Sequence, residues 1–422
     1  MENSFKYLFI TQFLNAFNDN IFKNSLILII TYESLSAFGF QATEIISIAT
    51  FLFILPYLLF SALAGSMSDK YAKDKMVQYI KLVEISIMAL TIFALPSRSI
   101  PFLLFLLFCM GMQSAFLGPV KYSALPELVK DKDLLRVNGI FQMGTFFSIL
   151  VGTAAGGILV KMFSAQSYFI GIFLTIFSII GYLSSRKIPK LKAQNSTMVN
   201  NPNFVQNIKL AFQYPTIKYS IIFASWLWFM GNYYISTLAL LIKNYFYLDE
   251  AVATLFMASF SIGIAIGSIS SNKISEKYSI PRCIFIGIIG MTFFHSIACL
   301  FISPPNEFGL ELKGISSFLT NPDAILLLLS ITMVSVCGGL YVVPLQTLVQ
   351  MNAKKTECAR MISAMNIIQA ISLLLSSLLL FLLFTAGLHI HQHYYVLAIL
   401  YLIVCILTYT HLKYFKREKA NS

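Results

Sequence analysis

Runs of about 20 mostly apolar residues recur along the whole chain, separated by short polar breaks, and each is long enough to cross a bilayer as a helix. About twelve can be marked out, at residues 6–31, 44–65, 76–95, 100–118, 138–160, 166–185, 216–242, 251–270, 283–303, 323–347, 361–386 and 394–412. The first run leads from Lys6 through apolar residues into polar ones without a small-residue cleavage site, so it is expected to stay as a span. The expected fold class is an all-α integral membrane protein. The longest polar stretch, Arg186 to Tyr214, contains RKIPKLKAQNSTMVNNPN and no apolar periodicity, and reads as a linker between two halves. The expected domains are a first helical bundle over 1–185, a linker over 186–215, a second bundle over 216–412 and a tail over 413–422.

The halves echo one another. GSMSDKYAKDK (Gly65 to Lys75) follows the second span, and GSISSNKISEK (Gly267 to Lys277) follows the eighth. Pro119 after the fourth span is followed by Lys121 and later Arg136; Pro344 after the tenth is followed by Gln346 and later Arg360. Matched signals at matched offsets read as an internal duplication, as in many transporters.

Composition agrees with the pattern: 57% of residues are hydrophobic, 11% are charged, and the mean hydropathy is +0.76. Charge adds an orientation, because Lys and Arg collect in short cytoplasmic loops. With the N-terminus inside, the 30 Lys and Arg lie at or near the cytoplasmic side, apart from Lys23, Arg98, Lys161, Lys243 and Lys313. Both termini and the linker are then expected to be cytoplasmic. The net charge of +12 follows from this topology, and no nucleic-acid partner is needed to explain it.

The first span breaks the apolar rule. Its centre, FLNAFNDNIFKNS (Phe13 to Ser25), carries Asn15, Asn18, Asp19, Asn20, Lys23 and Asn24. At 100° per residue, Gln12, Asn15, Asn18, Asp19 and Lys23 share an arc of about 140°. An ionised Asp at mid-bilayer costs about 2.5–3.5 kcal/mol on insertion scales, so such a residue should face a cavity and have a partner. Two readings stand: Asp19 and Lys23, four residues apart, neutralise each other, or the face binds a polar solute. Gln142, Asn232, Tyr233, Asn366 and Gln369 are also polar at depth, where an interhelical hydrogen bond and a substrate contact are equally compatible with the sequence. Lys121 fits either a binding role or an interfacial lysine. Lys81 and Glu84 read as a structural pair.

The six cysteines are scattered without a CxxC pair, which suggests neither disulfides nor zinc. His389, His391 and His393 alternate in a short outer loop, which reads as interfacial rather than as a metal site. Cofactors are expected to be none. HExxH, GxSxG and a His-x4-Asp acyltransferase motif do not occur, which argues against a membrane enzyme.

The order Gly65-x-x-x-Asp69-Lys70, followed by Lys73 and Lys75, resembles the signature loop of the major facilitator superfamily. That resemblance implies two six-helix bundles with a central cavity. It also implies an inner gate in which Gly65, Asp69 and Lys70 take part and Asp69 caps a neighbouring helix. The second-half copy departs from it, with Ser271 in place of the acid. A narrower resemblance is carried by Ala16, Phe17, Asp19 and Asn20 in the first span and by Pro119, Lys121, Tyr122, Leu125, Glu127 and Leu128 in the connection after the fourth. These are similar to the lysophospholipid transporter branch of that superfamily. A basic residue that the branch carries in the middle of the seventh span is missing from WLWFMGNYYIST, and Lys23 is the residue available to replace it.

The resemblance implies a transporter moving lysophospholipid across a bacterial-type inner membrane by alternating access, for reacylation by a separate acyltransferase. The alternative is a facilitator for another small amphipathic or soluble solute. The phosphate would need a cation, for which Lys23 and Lys121 are candidates, and an ethanolamine ammonium would need a carboxylate, for which Asp19 is. The acyl chain would need an apolar wall, which ISLLLSSLLLFLLF in the eleventh span could supply if it is not ordinary lipid-facing surface. A monomer is expected.

Overall fold

The structure is a computed structural model, and its described residues are 5–37, 39–193, 203–302 and 312–415. The middle of the expected linker, 194–202, and most of the expected tail, 416–422, lie outside them. The described residues form α-helices and no named strand. The first half holds α1 (Lys6–Tyr32), α2 (Ala42–Lys70), α3 (Lys73–Ser97), α4 (Ile100–Leu128), α5 (Asp131–Phe163) and α6 (Tyr168–Ser185). The short α7 (Phe204–Phe212) follows in the linker. The second half holds α8 (Pro215–Phe246), α9 (Glu250–Tyr278), α10 (Ile280–Leu300), the short α11 (Ile315–Leu319), α12 (Pro322–Asn352), α13 (Cys358–Thr385) and α14 (Ile390–Thr410).

Among the described residues, 10 helices are long and apolar enough to cross a membrane. Helices α1 and α8 have the length, 27 and 32 residues, but their centres carry FNDN and WLWFMGNYY. Large apolar side chains point outward along the spans, among them Phe93 on α3, Phe105 on α4 and Phe381 on α13, as a lipid-facing surface requires. Several helices run past the expected ends. The polar stretch GPVKYSALPEL, read above as a connection, is the last part of α4, with Pro119 and Pro126 inside the helix. Neither proline ends the helix, although each removes one backbone donor from it.

Side-chain caps start several helices. Asp249 accepts from the N–H groups of Ala251 and Val252 at the start of α9, and Asn203 accepts from Gln206 N at the start of α7. Gln41 with Glu44 forms a reciprocal cap on α2.

Two compact units result, each discontinuous in sequence. The first contains Met1–Leu134, Phe147–Tyr214 and Ala353–Ala370; the second contains Leu135–Phe146, Pro215–Asn352 and Ile371–Ser422. The linear division expected at 186–215 is therefore crossed twice, at one end of α5 and at one end of α13. In the first unit α1 packs on α6, α4 and α2, and α3 packs on α6 and α4. Their shared core includes Ile21, Phe22, Ile29, Leu103, Leu107, Ile170 and Leu174. Gly152 lets α5 lie close to α1, since a Cβ there would come within 2.7 Å of Phe17 O. In the second unit α12 packs on α9, α10 and α8, around a core that includes Tyr233, Tyr234, Phe256, Tyr341 and Tyr394.

Candidate functional site

The polar face of α1 is buried in the first unit and is met by polar groups from α3 and α4. Asn15, Asn18 and Asp19 are all nearly inaccessible. Asp19 Oδ2 accepts from Asn15 Nδ2 at 3.1 Å and from the hydroxyl of Ser114 on α4. Asn18 Nδ2 donates to Glu84 Oε1 on α3 at 3.2 Å and to the carbonyl of Leu174 on α6 at 3.1 Å. Gln113 Nε2 donates to Glu84 Oε2 at 3.1 Å and to Asn15 Oδ1. Lys81 and Glu84 form a salt bridge in which both side chains are inaccessible, the pair expected from their spacing. Four helices, α1, α3, α4 and α6, thus share one hydrogen-bonded network containing two carboxylates and one ammonium. Asp19 Oδ1 and Asn18 Oδ1 are buried acceptors with no hydrogen-bond partner in it.

No ion pair joins Asp19 to Lys23 among the described residues. The Lys23 ammonium lies instead 5.3 Å from the centre of the Phe53 ring on α2. Asp19 and Lys23 therefore do not form a direct ion pair; the lysine in direct contact with a buried carboxylate here is Lys81, with Glu84.

The other candidates are distributed as follows. Lys121 is half-buried on α4 and donates to Gln12 Oε1 on α1 at 3.2 Å, which brings it onto the same face of the first unit. Asn366 is half-buried on α13, so close to α4 that a Cβ at Gly118 would come within 2.7 Å of its Nδ2. Gln142 is buried in the part of α5 that belongs to the second unit. Asn232 on α8 donates to Ser377 Oγ at 3.0 Å and to Leu373 O at 3.3 Å on α13, an interhelical bond. Tyr233 is fully buried and its hydroxyl lies 2.8 Å from His393 Nδ1. Gln113 and Ser114 were not singled out from sequence. Their only signal was a polar pair inside the apolar run FLLFLLFCMGMQSAF.

The residues expected at an inner gate lie in a second constellation in the first unit. Asp69, near the end of α2 and 1% exposed, accepts from Ala359 N at 2.8 Å and from Arg360 N at 3.1 Å. These are free N–H groups of the first turn of α13, so a carboxylate from another helix caps it. Arg360 Nε stands 3.5 Å from Asp69 Oδ2. Gly65 makes the approach feasible, because a Cβ there would come within 2.6 Å of Ser363 Oγ and 2.9 Å of Ala359 O. One turn of chain further on, Lys73 is fully buried and pairs with Glu127 of α4 at 2.6 Å, while Lys70 lies over the Tyr71 ring. The linker helix α7 joins this group through Asn207, which donates to Ala62 O at 3.3 Å and to Ser363 Oγ at 2.8 Å. In the second unit Ser271, at the position matching Asp69, is buried and bonds to Ser268 O of its own helix.

The histidine cluster is absorbed by packing. His389 caps α14 with Gln392, and His391 and His393 meet the hydroxyls of Tyr245 and Tyr233. Among the described residues no group of His, Cys, Asp or Glu has the arrangement of a metal site. Much of ISLLLSSLLLFLLF on α13 is unburied, with Leu375, Leu378, Phe381, Leu382 and Phe384 exposed.

Comparison with known proteins places this geometry. Curated relatives include the lysophospholipid transporter LplT of Yersinia pestis (strain Pestoides F) and that of Yersinia pseudotuberculosis serotype O:3 (strain YPIII). Each is 24% identical over 349 residues, covering 81% of this chain and 77% of the relative. Among solved structures, a bacterial homologue of the iron transporter ferroportin in an outward-facing state superposes with a TM-score of 0.70 at 14% identity, covering 97% of this chain and 98% of the other. The E. coli fucose:proton symporter FucP gives 0.70 at 11% identity, covering 96% and 98%. The proton:xylose symporter XylE gives 0.72 at 10% identity, covering 97% and 96%. The family model of the Major Facilitator Superfamily matches residues 8–376 and 239–422. With helices of spanning length and apolarity and this likeness of fold, the chain is a multi-pass membrane protein that belongs to the Major Facilitator Superfamily.

Proposed function

We propose that this transporter moves lysophospholipids, with lysophosphatidylethanolamine as the type substrate, across a bacterial inner membrane by alternating access. The observation that carries the reading is Asp19, a buried carboxylate in the first helix with one oxygen tied to Asn15 and Ser114 and the other without a partner. Such an oxygen suits an ammonium, which brings only donors. Lys121, with Gln12 on the same face of α1, is the cation for the phosphate. The similarity to proteins named lysophospholipid transporters supports the reading. So do the matching residues Ala16, Phe17, Asp19 and Asn20. The Asp69 constellation acts as the gate that holds one conformation. Both termini are cytoplasmic, the protein acts as a monomer, and the transported lipid is reacylated by a separate acyltransferase.

The test is transport in proteoliposomes. Purified protein should move lysophosphatidylethanolamine faster than protein-free vesicles do, and Asp19→Asn should abolish the difference while still inserting. Movement of a sugar but not of the lipid would replace this reading with a soluble-solute facilitator.

A further inference from the structure

The carboxylate of Asp19 does not meet its surroundings symmetrically, and the asymmetry is imposed from α3. Glu84, held by Lys81, is an acceptor only, so an amide facing it must turn its NH2 group toward it. Asn18 Nδ2 and Gln113 Nε2 do so, at 3.2 Å and 3.1 Å. The same Gln113 Nε2 also donates to Asn15 Oδ1. With its oxygen engaged there, Asn15 has only its Nδ2 to turn toward Asp19 Oδ2 and Ser114 Oγ, each at 3.1 Å. Gln113 Oε1 lies 3.1 Å from the Ser114 hydroxyl, whose single proton has Asp19 Oδ2 as its nearer acceptor. The charge on Glu84 thereby dictates, through two amides, which atoms face Asp19.

We infer that Gln113, oriented by the Lys81–Glu84 pair, is a positioning residue: it ties down Asp19 Oδ2 through Asn15 and Ser114 and leaves Oδ1 as the oxygen that receives the substrate's ammonium group. This rests on the reading of Asp19 as the amine site. Turned the other way, the Asn15 amide would set its own oxygen against the carboxylate, and both Asp19 oxygens would seek donors elsewhere. The remaining titratable groups near Asp19 are Glu84 and Lys81 on α3, Lys23 on α1 and Tyr57 on α2, and a change at Gln113 leaves all of them in place.

Gln113→Met keeps the length of the side chain and removes the relay; Gln113→Glu keeps its shape and sets acceptors against Glu84 and Asn15. The full-length protein in proteoliposomes is assayed with lysophosphatidylethanolamine and lysophosphatidylglycerol of the same acyl chain. In parallel, the carboxyl band of Asp19 is followed in infrared difference spectra across a pH step, identified by its loss in Asp19→Asn. The expected result for Gln113→Met is a KM for the ethanolamine lipid raised at least about tenfold, a KM for the glycerol lipid changed less than about twofold, and a displaced Asp19 band. An unmoved band with an unchanged ratio of KM values overturns the inference. So does a band that moves while the ratio holds, because Asp19 would then be positioned without reading the amine. If the wild-type protein moves neither lipid, the proposed function fails, and the band alone decides whether Gln113 positions Asp19. Should Gln113→Met not fold, Gln113→Glu is judged by the same readouts.

Discussion

Replacing Asp69 with Asn tests the proposed gate at the carboxylate that caps α13. In the wild type both carboxylate oxygens accept N–H groups from the first turn of α13, at 2.8 and 3.1 Å, in a site 1% accessible to solvent. Asn keeps one acceptor and replaces the other with a donor facing an N–H. Losing a cap costs about 1 kcal/mol, and leaving a buried N–H without a partner costs about 1–3 kcal/mol. The two overlap, so about 2–3 kcal/mol is the expected loss of docking between α2 and the start of α13. That is a shift of about 30- to 150-fold in the docked-to-undocked equilibrium. Cys358, buried beside Asp69 at the start of α13, is the reporter. In a variant keeping Cys358 as its only cysteine, the rate of maleimide labelling follows the population of the undocked form when opening and closing are fast. Asp69→Asn should raise that rate by about the factor above, and should lower kcat for transport more than it raises KM. Gly65→Ala, which forces a Cβ against Ser363, should act in the same direction. Labelling within about threefold of the parent in a folded Asp69→Asn protein would refute the reasoning, since it would mean that the cap contributes less than about 1 kcal/mol.

Three further outcomes follow from the same geometry. Because Lys23 sits over Phe53 and not against Asp19, Asp19→Asn should insert normally yet lose transport by at least about a hundredfold, and adding Lys23→Met should not restore it; recovered lipid transport in the double variant would reduce Asp19 to helix packing. Glu84→Gln strands a fully buried Lys81, which should cost about 3–5 kcal/mol and appear as a lower Tm in detergent; Glu84→Gln with Lys81→Met should recover most of it. For topology, a membrane-impermeant thiol reagent added outside should miss a cysteine placed at Gln194 and reach one at Asn306, and reaction at Gln194 in intact cells would invert the assignment.

The spans were legible because an apolar run of spanning length has few alternatives, and the pattern located every long helix of the structure. Their ends were less so. Pro119 and Lys121 looked like the start of a loop, yet α4 carries both, because a proline removes one helical hydrogen bond without having to end the helix. At the site, the periodicity of FLNAFNDNIFKNS placed Asn15, Asn18 and Asp19 on one face correctly. What it could not supply was the partners, because Lys81, Glu84, Gln113 and Ser114 lie on other helices and meet α1 only in the folded unit. The contact between Gly65 and Ser363 is of the same kind: 298 residues of chain, 363 minus 65, separate the two, and no local pattern encodes their approach.

A difference between the two units gives the site its direction. Every buried Asp, Glu and Lys among the described residues, namely Asp19, Asp69, Lys73, Asp74, Lys81 and Glu84, belongs to the first unit. The second unit buries polar groups as well, but hydroxyls, amides and imidazoles in place of carboxylates and ammoniums, with Tyr234 against His295 and Tyr233 against His393. A buried charge is costly unless it is paired, so its retention calls for a reason, whereas a neutral hydrogen-bonded pair is ordinary packing. Lys73 with Glu127, Asp69 with the start of α13, Asp74 with Leu191 N and Lys81 with Glu84 each find a counterpart. Asp19 is the exception, with Oδ2 held and Oδ1 left over. A carboxylate kept half-satisfied inside an otherwise paired set is what the proposed amine site requires, where a charged headgroup would have to bind and then leave. Full pairing would exclude the headgroup, and a fully unpaired carboxylate would hold it too tightly to release.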